Sequence, residues 1–171
     1  MSARNILRTA TAARHDAVDA AFGRFDLTDR ESYGRFLTAH ARALPAVENA
    51  LGACDGIPAF APRTELLRAD LAALGLALPD PLPLAPPESD AAAFGALYVI
   101  EGSRLGGAML VRRVPEGLPH AYLSATHQPG GWRAFSETLD RAERAGGPGW
   151  IVRAIAAAEA TFDLYAMAAA L

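Results

Sequence analysis

AAAFGALYVIEGSRLGGAMLVRR, residues 91–113, reads as helix yet carries glycine at Gly95, Gly102, Gly106 and Gly107. Each glycine inside a helix costs about 0.8–1.0 kcal/mol against alanine, so the last three forfeit roughly 2–3 kcal/mol in a chain that uses alanine freely elsewhere. Such a loss calls for compensation. Gly102 and Gly106 are one turn apart on one face, with Tyr98 a turn earlier on that face and Ser103 beside it. The face is a strip without side chains. Two partners suit it: the backbone of another helix packed closely, or a flat ligand against the bare main chain with the helix bent over it.

Working outward, Ser89 is a good N-cap for this helix. Residues 78–88 contain five prolines, which excludes helix and makes a stiff connector. On the other side Val114-Pro115-Glu116-Gly117 stops the run, and residues 118–131 read as a loop with His120 and His127 exposed. Their seven-residue separation matches no metal-ligand spacing. Residues 132–145 and 150–171 read as two helices broken by Gly146-Gly147-Pro148-Gly149, the last bearing Ile151, Ile155, Phe162 and Tyr165.

Toward the N-terminus, a helix with Leu66, Leu67, Leu71 and Leu74 is stopped by Gly75, after a turn at Asp55-Gly56-Ile57-Pro58 and Pro62. Before it, Thr28-Asp29-Arg30-Glu31 forms a capping box, and apolar periodicity continues from Tyr33 to Leu51. Pro45 is a candidate kink, and His40 reads as structural. Residues 2–22 place Leu7, Thr11, Val18 and Phe22 on one face. His15 falls on that face, as a hydrogen-bonded core histidine or as a ligand. Arg8 lies two turns earlier, about 10 Å along the axis, while Asp16 and Asp19 point toward solvent.

No alternating strand pattern or internal repeat is present. The expectation is an all-α, single-domain helical bundle over residues 1–171, since neither side of the proline connector has enough chain for its own core. The 171 residues are 51% hydrophobic with a formal net charge of −3, and no stretch interleaves arginine with aromatics, so nucleic acid is not an expected partner. Cys54 is the sole cysteine, which excludes an intramolecular disulfide or a cysteine metal cluster and fits a reducing cytoplasm. Cys54 itself reads as a small buried hydrophobe. The apolar run from residue 91 to 100 is too short to span a bilayer, and the N-terminus has no apolar leader, so no membrane partner is expected. All sixteen basic residues are arginine, permanently charged forks for carboxylates. Phosphate-loop, dinucleotide, zinc-protease and nucleophile-elbow signatures are absent, as is the repeated Glu-x-x-His of di-metal bundles.

What remains is His15 and the glycine strip. The run Leu7-Arg8-Thr9-Ala10-Thr11-x-x-x-His15 and the run Tyr98-Val99-Ile100-Glu101-Gly102-Ser103-Arg104-Leu105-Gly106-Gly107 resemble bacterial, biliverdin-forming haem oxygenases of the bacteriophytochrome-associated type. Order and separation match as well. So does Ala158-x-Ala160-Thr161-Phe162-x-x-Tyr165, which extends the resemblance over nearly the whole chain.

The resemblance implies the haem oxygenase fold, with haem b as both cofactor and substrate. It implies His15 as the proximal iron ligand, Gly102, Gly106 and Gly107 in the helix over the distal face, and Gly102, Ser103 and Gly106 on the catalytic side. Arg8 matches a position that holds a haem propionate, and Tyr98 one that assists it. Relatives releasing non-α isomers lack that pair, so the α isomer of biliverdin is implied. The reaction consumes O₂ and reducing equivalents from a donor such as ferredoxin or a reductase, releases CO and iron, and suggests a link to a bilin photoreceptor. A porphyrin is a flat apolar plate that wants an axial donor on one side and a surface without side chains on the other. One departure stands out: Ser103 replaces the aspartate of mammalian relatives, and a hydroxyl holds water but is no base near neutral pH. The alternative is therefore a haem-binding or haem-sensing protein of the same fold with little turnover, and beyond it a helical scaffold without haem.

Overall fold

Ser89 caps as its position predicts: its hydroxyl accepts from the Ala92 N–H at 3.2 Å and opens the glycine-bearing helix. The computed structural model of the chain describes residues 1–170. In chain order the helices are α1 (Ala3–Ala10), α2 (Ala12–Gly23), α3 (Arg30–Gly52), α4 (Thr64–Ala73), α5 (Asp90–Leu110), α6 (Ala121–Ser124), α7 (Gly131–Ala145) and α8 (Trp150–Ala169), with a 3₁₀ turn at Val111–Arg113. No strand occurs among the described residues, so the all-α expectation holds. None of these helices is long and apolar enough to cross a membrane.

α8 is the member on which the others are mounted: α5, α3, α2 and α1 all pack against it. The α5 contact is the tightest, because a Cβ at Gly95 would overlap the Ala154 carbonyl and stand 3.1 Å from the Ala154 Cα. Gly95 is therefore a packing glycine. The C-terminal carbonyls of α8 are bonded from outside the helix: Arg42 Nη1 donates to the Ala168 carbonyl at 3.0 Å and Arg24 donates to that of Ala169. The proline connector is tied to the same place, since the Leu82 N–H donates to the Arg42 carbonyl at 2.7 Å. Gly75, at φ +79°, ends α4 where the sequence predicts, in the left-handed conformation that favours glycine.

Three boundaries differ from expectation. The first helix is two, divided at Thr11, whose buried hydroxyl donates back to the Leu7 carbonyl at 2.8 Å and whose backbone (φ −96°, ψ 3°) leaves helical geometry. The cap of α3 is Asp29 rather than Thr28; the Asp29 carboxylate accepts from Ser32 N at 2.7 Å, while Thr28 is held by Asp26. The loop after α5 contains α6, because Asp70 reaches across 51 residues to accept the Ala121 N–H at 3.0 Å and also the Tyr122 N–H. α3 runs through Pro45 without interruption. The expected end of the last helix at Leu171 lies outside the described residues.

His40 is structural, as read. Its ring is enclosed by Phe22, Phe36, Tyr122 and Tyr165, and Nδ1 shares a 2.8 Å hydrogen bond with the Tyr122 hydroxyl. Burial first, and the Arg63 charge second, push its pKa down to about 3. An unfolded histidine protonates near 6.5, so on acidification the unfolded state takes a proton that the native state refuses, and stability falls through that window. Lowering pH from 7 to 5 should cost about 1–2 kcal/mol through this residue alone. His40→Gln should remove that portion of the pH slope in paired urea titrations; an unchanged slope would show that His40 is not held neutral.

Candidate functional site

α2 and α5 rest on α8, and each carries one half of the site predicted from sequence. Arg14 fastens α2 to α8 through Glu159 at 2.8 Å and Asp163 at 3.1 Å. The next residue, His15, sets its ring edge against Phe162 of α8, with centroids 5.8 Å apart at 75°. Its side chain is 57% exposed rather than part of the core, because the break at Thr11 separates its face from that of Leu7. Nδ1 faces Asp19 at 3.3 Å and Asp16 at 3.8 Å. Carboxylates on the Nδ1 side of the ring leave Nε2 for a metal, the order in which metal-ligating histidines are commonly arranged. Asp16 and Asp19, which the sequence only turned toward solvent, thereby acquire a position in the site.

On α5 the glycines divide between the two readings of the strip. A Cβ at Gly107 would sit 3.1 Å from the Leu123 carbonyl oxygen, so this buried residue lets α6 approach α5 and answers to close packing rather than to the haem contact that the resemblance implied for it. A Cβ at Gly106 would meet nothing within 4 Å, and one at Gly102 would meet only Trp132, at 3.7 Å. Beside open Gly106 lie Leu105 and Met109, 46% and 73% exposed, an uncovered apolar ledge on a helix that is otherwise well packed. Among the described residues no three His, Cys, Asp or Glu side chains gather as donors for a free metal ion. A lone imidazole with a carboxylate behind it, and a bare helix face with apolar margins, fit haem.

Tyr98 stands one turn before Gly102, half-buried, with its phenol pushed up from its ordinary value by burial, while the guanidiniums of Arg4 and then Arg8 pull the other way. The phenol is thus a neutral donor within electrostatic reach of two arginines. Arg4, one turn from Arg8 on α1, is a cation that the sequence reading passed over.

Ser103 is not a loose hydroxyl. It donates to the Ile100 carbonyl at 2.7 Å and accepts from Arg63 Nη2 at 2.8 Å, and the same Nη2 reaches the Ile100 carbonyl at 2.7 Å. Arg63 is buried, lies over the Tyr122 ring at 5.2 Å, and keeps an unpartnered Nε. Its main chain is held by Glu48, which accepts the Arg63 N–H at 2.6 Å and the Thr64 N–H at 3.1 Å. Nothing local in a proline-rich turn marks Arg63 as a partner of Ser103, forty positions on.

His120 is exposed, as expected, and bonded to Ser124. His127 is not: its Nε2 meets Glu101 at 2.9 Å, with side chains 12% and 11% exposed. Glu101, which ends the apolar run of α5, is buried and takes two partners, one on each oxygen; the other is Arg104, at 3.0 Å.

No family model matches the chain. It is similar to a haem oxygenase of Xanthomonas campestris pv. campestris strain 8004, 36% identical over 126 residues that cover 66% of this chain and 74% of that protein. Its fold matches the crystal structures of the NO- and CO-bound haem oxygenase of Neisseria meningitidis with a TM-score of 0.83 and 26% identity, over 99% of this chain and 90% of that one. Identity of this level over most of the relative's length, together with agreement of the whole fold, shows that the chain belongs to the haem oxygenase family.

Proposed function

We propose that this protein binds haem b between α2 and α5 and cleaves it at a meso carbon, consuming O₂ and reducing equivalents and yielding biliverdin, CO and iron. The observation that carries this reading is the pairing, on one supporting helix, of an exposed imidazole backed by Asp19 with the open, apolar-edged face at Gly106. Residues 1–171 act as one domain, in the cytoplasm, with a ferredoxin or reductase as electron donor. The product is the α isomer that a bilin photoreceptor uses, as in the bacteriophytochrome-associated members.

Bound haem supplies O₂ activation at iron and, as substrate, the carbon that is oxidised. The chain does the rest. His15 would hold the iron through Nε2, with the Asp19 and Asp16 carboxylates on the Nδ1 side of its ring at 3.3 and 3.8 Å. Gly106 would leave the plate a surface free of side chains, with Gly102 at its edge beside Trp132. Ser103, fixed by Arg63, retains one lone pair for a water at the strip, so it can hold and pass a proton at Oγ but cannot remove one as a base. Arg8 and Tyr98 orient the propionates, Arg8 as a fork and Tyr98 as a neutral donor.

Haemin titration tests binding through a Soret band, and addition of reductant with O₂ tests turnover through verdin absorption. A chain that gives no Soret band defeats the proposal. The absence of a carboxylate at position 103, where Ser103 is already bonded to Ile100 and Arg63, favours one second reading: a haem-binding or haem-sensing protein with little turnover. A Soret band without verdin would assign it.

Propionate anchoring also fixes which meso carbon is presented. An Arg8 contact is worth about 1.5–3 kcal/mol if partly desolvated, so Arg8→Asn with Tyr98→Phe should leave haem bound through His15 and mix the biliverdin isomers. Chromatography of the products reads this directly. A wild-type chain making mostly β or δ isomer would show that these residues do not seat the haem.

A further inference from the structure

We infer that Trp132 is the in-plane stop of the cleft and that Glu101 and His127 are positioning residues that hold it there; this rests on the haem reading above. The strip on α5 is not uniformly bare. At Gly102 the nearest side-chain atom to an added Cβ is Trp132 Cη2, at 3.7 Å, whereas one turn later, at Gly106, there is nothing within 4 Å. Room for a plate therefore begins where Trp132 ends. The indole is half-buried, lies 6.1 Å from the Tyr98 ring and stacks on Phe135 at 5.5 Å, so it forms a wall beside the Tyr98 end of the strip.

Trp132 is the second residue of α7, whose start has no side-chain cap: Gly130 occupies the cap at φ +78°. What fixes this helix end is the preceding segment, clamped to α5 twice. Arg104 Nη1 donates to the Ala125 carbonyl at 3.0 Å, and His127 Nε2 meets Glu101 Oε2 at 2.9 Å, while the other Glu101 oxygen accepts from Arg104 Nε. The His127 ring then bears on α7 itself: a Cβ at Gly131 would be 3.1 Å from His127 Cβ, and the imidazole and indole centroids are 5.7 Å apart. His127 Nδ1 is buried without a partner. An unsatisfied polar atom in a folding contact is a net cost, which a role in placing Trp132 explains. Glu101 is the residue immediately before Gly102, so the indole is referenced to the very turn of α5 that it borders.

The test uses the full chain loaded with ferric haem and ligated with cyanide, read by the haem-methyl proton resonances, whose order reports how the plate is turned in its pocket. After equilibration the wild type should give one dominant pattern. Trp132→Ala should raise a second seating several-fold, with Trp132→Phe in between. His127→Ala should do the same, and His127→Gln, whose amide can donate to Glu101, should restore the wild-type pattern. Without haem, His127→Ala should shift the emission of Trp132 to longer wavelength, the fully buried Trp150 serving as a constant background. An unchanged methyl pattern in Trp132→Ala overturns the stop, and this variant leaves the Glu101–His127 pair intact. A change in His127→Ala that glutamine fails to reverse overturns the positioning role. A wild-type chain without a Soret band defeats the haem reading and this inference with it, whereas haem binding with an unmoved Trp132→Ala pattern defeats this inference alone.

Discussion

His15→Ala should keep the fold and lose tight ferric haem binding. The side chain is more than half exposed, and its contacts are the edge of Phe162 and two exposed carboxylates. Surface replacements of this kind change stability by about 0.5 kcal/mol or less. Removing a partner behind a metal ligand already costs about 10–100-fold in metal affinity, so removing the ligand itself should cost more than about a hundredfold, near 3 kcal/mol. Thermal melting of the ligand-free variant should match wild type while its haemin titration weakens and the Soret maximum moves. Free imidazole should return the maximum toward its original position. A variant that keeps wild-type affinity and spectrum would end the proximal-ligand assignment.

The second large effect separates two glycines of one helix. Gly106→Leu places a side chain in open space, so the ligand-free chain should be as stable as wild type or gain up to about 0.8 kcal/mol of helix propensity, a rise in Tm of about 1–3 °C. Haem should then fail to raise Tm further, although at a hundredfold excess over Kd it adds about 2.7 kcal/mol to the wild type. Gly95→Ala should do the reverse. Its methyl would run into the Ala154 main chain, so the loss should reach or exceed about 3 kcal/mol, the top of the usual range for overpacking. Melts of both variants with and without haem decide the matter; a collapse of ligand-free Gly106→Leu would mean that another element packs on that glycine.

What the sequence made legible was whatever is encoded locally or by helical period. The cap at Ser89, the stop at Gly75 and the all-helical pattern could each be read within a turn or two of chain, whereas the pairing of His15 with the glycine strip came only from the family resemblance. The break at Thr11 was not, because a threonine hydroxyl bonding back to a carbonyl looks in sequence like any small residue on a helix. Arg63 and His127 were missed for a different reason. Their partners are Ser103, forty residues later, and Glu101, twenty-six residues earlier, and no periodicity reports such distances. The one available clue was Glu101 itself: a carboxylate at the end of an apolar helical run must find buried partners, and one arginine three residues on left an oxygen unaccounted for. Whether the strip at Gly102 and Gly106 met a helix or a ligand stayed open, because sequence gives the absence of a side chain but not what stands opposite it.

What stands opposite each glycine differs along α5. The helix is welded where Gly95 meets Ala154, while its end from Gly102 onward is held by side-chain bonds at Ser103 and Arg104, by a four-residue helix and by one indole. Haem seated at Gly106, as proposed, would bear on the far end of the helix and leave the Gly95–Ala154 contact untouched. One rod thus serves two ends, the core where a methyl group has no room and open space where nothing within 4 Å would oppose one.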